Sequence, residues 1–400
     1  MITKLLASLS LLAVLANACA ADAPALSVTG FATFGAVYTD DSEAQFIRWG
    51  VNKPSESRLD FSPDSILGVQ ASLPIGPKLD ATVQLVSSED PQGSYAPRVT
   101  WAFLRYVLTP SVTIRAGRMR APFFMLSDSL LVNYANVWVR PPVEVYSLVP
   151  VNELDGIDLF YREQVLGVEL EAHPYFGSSR LDLFDDSAVR LRDAVGFNLA
   201  IRFSDLTVHF GHAEAKFGYF RESASSTALA RALSGRGPDG AALASQVSGD
   251  DGYARFDSLG FQWDDGRNIL IGEYAKRRTN RYIASVEGAY LSIGRRLGAF
   301  TPYVSYAVQN TLEDTLRGTP PPGFEPSIGL FNVVRDNAQR SITLGTRWDL
   351  NRTFALKAEL SRFKLDDRAA GSFYPKTEAA AMHIGGRSFN TLSISLDVLF

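Results

Sequence analysis

The side chains in this chain whose types and spacing suit them to chemistry are charged rather than nucleophilic. Between Arg118 and Asp155 the chain sets Arg118, Arg120 and Arg140 beside Glu144, Glu153 and Asp155, among Phe123, Phe124, Leu130, Trp138 and Tyr146. Fixed charges held at a narrow water path sort ions by sign. On a solvated surface the same charges only brace their neighbours, at about 0–1 kcal/mol per pair. Nucleophilic chemistry has no such foothold: no Gly-x-Ser-x-Gly occurs, and none of the four histidines sits in a recognisable catalytic setting. No catalytic residue and no cofactor is assigned. His209 and His212 look like a ligand pair, but on a strand an odd separation sends them to opposite faces, so no metal site is expected. The single cysteine, Cys19, falls in a segment with the marks of a leader, so no thiolate chemistry is expected of the mature chain.

That segment runs from Lys4 through the apolar stretch Leu5 to Leu15 to the small-residue site Ala18-Cys19-Ala20. Residues 1–20 read as a signal peptide and 21–400 as the mature domain. The apolar stretch is short of the roughly 20 residues that a spanning helix needs. Ala16 stands where lipoprotein signals usually carry Leu, which argues against lipidation at Cys19. With 39 basic against 43 acidic residues the formal charge is −4, without the basic excess of a nucleic-acid binder.

Mean hydropathy is near zero, so the arrangement of apolar residues decides the class. Short stretches alternate apolar and polar with period two, and no later stretch is long enough for a spanning helix. A closed barrel is the other way to satisfy backbone polar groups in lipid. The first strand is expected over Leu26 to Tyr38. Seven pairs follow, each on a short turn, among them Val99 to Leu108 with Val112 to Gly117, and Asp155 to Arg162 with Leu166 to His173 about Glu163-Gln164. With a strand closing the chain this predicts an all-β transmembrane antiparallel barrel of about 16 strands. Tyr38, Tyr106, Tyr161, Trp263, Tyr274, Tyr306 and Trp348 cluster near strand ends, as in the girdles that anchor barrels at headgroups. Taking each apolar set as lipid-facing puts Arg105, Arg115, Arg162, Arg202, Arg347 and Lys357 inside, with Asp80, Asp158, Glu169, Glu171, Asp257, Glu273 and Asp349.

The final strand alternates Leu392, Ile394, Leu396 and Val398 with Thr391, Ser393, Ser395 and Asp397, up to Phe400. This strand, the terminal aromatic, the rhythm of short turns and long loops, and the long segment after the fifth strand resemble the trimeric porins of Gram-negative outer membranes. The resemblance implies an outer-membrane channel, reached after export through the periplasm, for passive diffusion of small hydrophilic solutes and ions. It implies a homotrimer in lipid, with Phe400 as the signal read by the assembly machinery. It implies that the loop between Arg118 and Asp155 folds into the lumen as a constriction. Arg105 and Arg115 would then form a basic ladder opposite Glu144, Glu153 and Asp155. Arg118, Arg120 and Arg140 on the same loop depart from that pattern and leave the sign of selectivity open. Ser127 suits the cap of a short helix there, and Pro141-Pro142 an extended stretch after it. Near residues 214–253, alanines suggest one short helix ended by Gly237-Pro-Asp-Gly240. A substrate-specific channel for sugars, phosphate or organic acids is the nearest rival. A structural or adhesin barrel and an outer-membrane hydrolase, the latter with about 12 strands, stand further off.

Overall fold

The structure, a computed structural model, describes residues 25–151, 153–183, 188–221, 224–248 and 251–400; the leader read at 1–20 lies outside the described residues. Alternation gives each strand one apolar face, and an antiparallel sheet closed on itself satisfies every backbone group without leaving an edge. Sixteen long strands close in this way. They are β1 (Ser27–Thr39), β2 (Ile66–Pro74), β3 (Leu79–Ser88), β4 (Arg98–Thr109), β5 (Val112–Arg120), β6 (Glu153–Val165), β7 (Val168–Asp182) and β8 (Ala188–Phe203). The second half comprises β9 (Leu206–Arg221), β10 (Gly252–Asp264), β11 (Asn268–Thr279), β12 (Ser285–Arg295), β13 (Phe300–Glu313), β14 (Gln339–Asp349), β15 (Phe354–Leu365) and β16 (Ser388–Leu399). Each pairs with its chain neighbours, and β1 pairs with both β2 and β16. At that seam the Phe400 amide donates to the Gly30 carbonyl at 3.0 Å and its own carbonyl accepts from Gly30 at 2.6 Å. The Phe400 ring lies over Gly30 where a Cβ would stand, so a larger residue at position 30 displaces that ring.

The alternation resolves into two surfaces. Phe34, Leu104, Ile157, Leu259, Ile293, Leu344, Leu360 and Ile394 stand exposed outside, while Thr33, Ser258, Ser292, Ser393 and Ser395 are buried inside. Tyr38, Tyr106, Tyr161, Tyr274, Tyr306 and Trp348 are on the outer face too, and Phe300 stacks on Trp348 at 5.3 Å. The apolar band does not run the full height. On β9 and β10, Phe210 faces Leu259, but the next outward pair toward the long loops is His212 with Asp257, bonded at 2.7 Å. Asp257, expected inside, is therefore outside. With 16 residues, β9 outruns the roughly ten needed to cross, and its outer face turns polar where it leaves lipid.

Two turns differ from the sequence reading. The hairpin expected at Glu163-Gln164 sits at Leu166–Gly167, both with positive φ (54° and 82°), as a two-residue turn matching strand twist requires. At residues 224–247 there are two helices, Ala224–Ser234 and Gly237–Val247. Pro238 lies in the first turn of the second, where its missing N–H costs nothing, so the Gly-Pro-Asp-Gly run starts a helix.

The barrel is not hollow. Phe123, Phe124, Trp138, Val145, Tyr146 and Leu148, all between β5 and β6, pack against Tyr175, Phe256, Tyr290 and Tyr303 of the inner wall. The expected constriction loop is thus folded into the lumen and supplies an internal apolar core. Apolar loop residues that would be exposed outside gain burial here at about 25 cal/mol per Å².

Candidate pore constriction

The loop spans residues 121–152, shorter at both ends than the sequence suggested, because β5 continues to Arg120 and β6 begins at Glu153. Arg118, Arg120, Glu153 and Asp155 are therefore strand residues. Ser127 caps no helix through its side chain. One 3-10 turn covers Ser127–Ser129, and the Ser127 hydroxyl accepts from the Phe124 amide at 2.9 Å. After Pro141-Pro142 comes a helical turn, Val143–Tyr146.

The loop's polar groups are met by the inner wall. Near its start the Pro122 carbonyl accepts from Asn198 of β8 at 2.5 Å, and the Phe123 carbonyl from Ser258 of β10 at 3.2 Å. Glu273 of β11 takes the Met125 amide at 2.8 Å and the Tyr146 hydroxyl at 2.6 Å. Further on, Trp138 donates to Ser292 and Ser305 of β12 and β13, and the Val139 amide to Glu359 of β15 at 2.8 Å. Lys357 of β15, fully buried, donates to the Asn133 and Trp138 carbonyls at 2.6 and 2.8 Å and pairs with Asp397 of β16 at 2.7 Å. Arg347 of β14 donates to the Tyr134 and Asn136 carbonyls, and Asn133 donates to Thr33 of β1 at 3.2 Å. Arg140 binds Asp64, just before β2, and Ser393 of β16. Hence the loop is seated on β1 and on eight of the nine strands β8–β16. Among the described residues none of its hydrogen bonds goes to β2, β3, β4, β6 or β7.

On that unclaimed side the wall charges pair with each other. Arg105 bonds Asp80 at 2.7 Å with half its side chain exposed. Arg115 grips Asp158 in two-pronged fashion, and His173 holds the same carboxylate at 2.8 Å. Arg162 of β6 pairs with Glu171 of β7, and across the boundary Arg202 of β8 pairs with Glu169 of β7, both arginines being well exposed. Beneath the start of the loop, where β7 meets β8–β10, a chamber of about 460 Å³ opens, lined by Met125, Asp128, Glu171, His173, Arg202 and Asp264 among others.

The eight residues singled out in the sequence are not gathered at one point. Arg105 and Arg115 lie inside, on adjacent strands and directly opposite in register. Arg118 and Asp155 face outward, in line with Ala116 and the exposed Ile157, and bond each other at 2.7 Å. Arg120 is buried at the strand end opposite Glu153, its Nε donating to the Ser127 carbonyl at 3.1 Å. Glu144 accepts from Gln339 at 2.9 Å, and burial pushes its carboxyl above the usual range. Residues absent from the sequence-based set include Lys357, Glu273, Glu359, Asp64 and Asp397. The signal was present for four of them: charge at inward positions of strands whose other inward residues are small and polar. Asp64 lies outside any strand and carried none.

No protein-family model matches the sequence. Comparison with curated proteins finds no match either. Solved structures do match, over nearly their whole length. The anion-selective porin from Comamonas acidovorans is 15% identical, with 94% of this chain and 99% of that chain covered and a TM-score of 0.55. OmpF of Salmonella typhi, in complex with daunomycin, is 13% identical over 96% and 99% of the two chains, with a TM-score of 0.58. The fold is that of the outer-membrane porins. A trimer form of OmpT, an outer-membrane protein of Vibrio cholerae, is 12% identical over 95% and 100%, with a TM-score of 0.53. With the porin fold the internal loop takes a definite place: it is the third of the long loops, counted from β1.

Proposed function

We propose that this protein is an outer-membrane porin through which small hydrophilic solutes and ions diffuse passively. The observation that carries the reading is the seating of loop 121–152 on one side of the lumen, which leaves the charged inner wall of β2–β4, β6 and β7 free of loop hydrogen bonds. Water and ions would pass between Asp128 on the loop and Arg105, Arg162 and Arg202 on the wall. Arg115 stands behind them, buried against Asp158, and Arg120, Arg140, Glu144 and Glu153 shape the loop's attachment rather than the field in the path. Because the exposed arginines have carboxylate partners within 4 Å, ion preference is weak and set by how completely each pair cancels.

A homotrimer fits the outer face of β1–β5, where Ala32, Ala71, Ala81, Ala102 and Ala116 share the lipid-facing register with the exposed Phe34, Val83 and Leu104 in an apolar surface. Export by the leader at 1–20 and recognition of Phe400 by the assembly machinery complete the expected route. Removing Phe400 leaves Gly30 without both seam bonds, and surface levels of the truncated protein should fall.

Single-channel recording in planar bilayers tests the channel reading. Deleting residues 127–138 should raise conductance and admit larger solutes, provided the barrel keeps its heat-dependent mobility shift. An intact barrel that conducts no better without this stretch removes the loop from the permeation path.

A further inference from the structure

On the long-loop side of loop 121–152 lies a second cavity of about 620 Å³, within the roughly 300–1,000 Å³ range of small-molecule sites. Its lining is mostly apolar, in contrast to the charged chamber beneath the loop. Trp49 and Tyr374, with ring centres 6.0 Å apart, form one side, and Leu148, Phe217 and Tyr282 lie among the others. Four cations line it: Arg255 is paired with Asp257 at 3.0 Å and Lys376 donates to the Glu56 carbonyl, which leaves two guanidinium groups, Arg277 and Arg335. Arg277 of β11 spends its Nη atoms on the Leu148 and Ala284 carbonyls, and its Nε is buried without a partner. Arg335 lies 3.6 Å over the Phe331 ring and donates to the Tyr282 hydroxyl at 3.0 Å. Among the described residues neither has a carboxylate within ion-pair distance, whereas Arg105, Arg115 and Lys357 each have one. The acids of the lining sit at its rim: Glu214 is on the outward register of β9, beside His212, and Glu378 is exposed at the start of the helix Glu378–Met382.

We propose that this cavity binds organic anions with a planar apolar body, aromatic carboxylates being the class that fits, and that it concentrates them at the mouth of the channel read above. Two uncompensated cations in a weakly polar enclosure favour an anion, through charge-assisted hydrogen bonds that are stronger than neutral ones. The ring-lined wall removes an aromatic body from water. A small hydrophilic anion leaves that wall unused, and a neutral aromatic leaves the charges unanswered.

Calorimetric titration of the purified full-length protein with benzoate, acetate and benzyl alcohol tests this. Benzoate should bind at least about tenfold more tightly than either control, a difference of about 1.4 kcal/mol. Arg335→Gln should weaken benzoate by a similar factor while the protein keeps its heat-dependent mobility shift. Arg277→Gln should do the same, but that residue also holds Leu148, so Arg335→Gln decides. Equal binding of acetate and benzoate, or unchanged benzoate binding in Arg335→Gln, overturns the site. Benzoate bound normally by a protein that passes no ion current would instead overturn the channel reading and leave this site standing.

Discussion

Lys357 and Arg105 are both cations of the inner wall, yet Lys357 is fully buried under two loop carbonyls and Asp397, whereas Arg105 is half exposed beside Asp80. The contrast extends to the regions they stand in. From β8 round to β1 the inward polar groups are largely spent on the loop: Glu273 holds two of its groups, Glu359 and Thr33 one each, and Ser292 and Ser305 share Trp138. From β2 to β7, Arg120 at the end of β5 aside, the inward charges are spent on one another. One half of the wall thus uses charge to build a fixed partition, and the other keeps its charges exposed, where on the proposed function a passing ion would feel them. A desolvated ion pair is costly to leave half-made, whereas an exposed one contributes little to stability but acts on solutes.

The largest effect is expected where the partition is held. Lys357→Met strands Asp397 in a buried site and frees the Asn133 and Trp138 carbonyls, so it should cost about 3–5 kcal/mol. The loss is read as a lower temperature for the mobility shift and as unsteady single-channel current. Adding Asp397→Leu should recover much of that loss, because removing both charges abolishes the unpaired one. Lys357→Met with wild-type stability would mean that the loop does not depend on this pair.

A smaller effect is expected on the open side. Arg105→Gln leaves Asp80 uncompensated at the path and should move the reversal potential in a salt gradient toward cations. The shift should shrink at 1 M salt, where the Debye length falls to about 3 Å. The smallest effect belongs to Arg118→Gln. That arginine carries a similar ion pair on the outer face, so stability should change by about 1 kcal/mol or less and the reversal potential not at all. If Arg118→Gln moved the reversal potential as far as Arg105→Gln, the division of inner from outer charge would fail.

Strand number and most turns were legible because period-two alternation is local and survives without knowledge of partners. The loop's entry into the lumen came from resemblance, with its apolar content as support. The orientation of Arg118 was misjudged because the strand was ended at Gly117; continued by parity, Arg118 falls with Ile114 and Ala116 on the outer face. A charge in that register marks where the wall rises out of lipid, which is also the lesson of Asp257. The seat of the loop was not legible. Asp64 and Ser393, or Asn133 and Thr33, meet only through closure of the whole ring, and nothing local in sequence distinguishes a wall serine that holds Trp138 from one that faces water.

Closure also has a temporal meaning. Strand β16 carries Asp397 and Ser393, which hold Lys357 and Arg140, and the Thr33 hydroxyl of β1 donates to the Asp397 carboxylate at 2.8 Å across 364 residues of chain. Contacts so remote in sequence form late, since the entropy of joining distant segments must be met before they contribute. The event that zips β16 to β1 is therefore the same event that completes the seat of the loop. An unfinished barrel thus has an open edge together with a partition still short of its anchors on β1 and β16, and a finished one has neither.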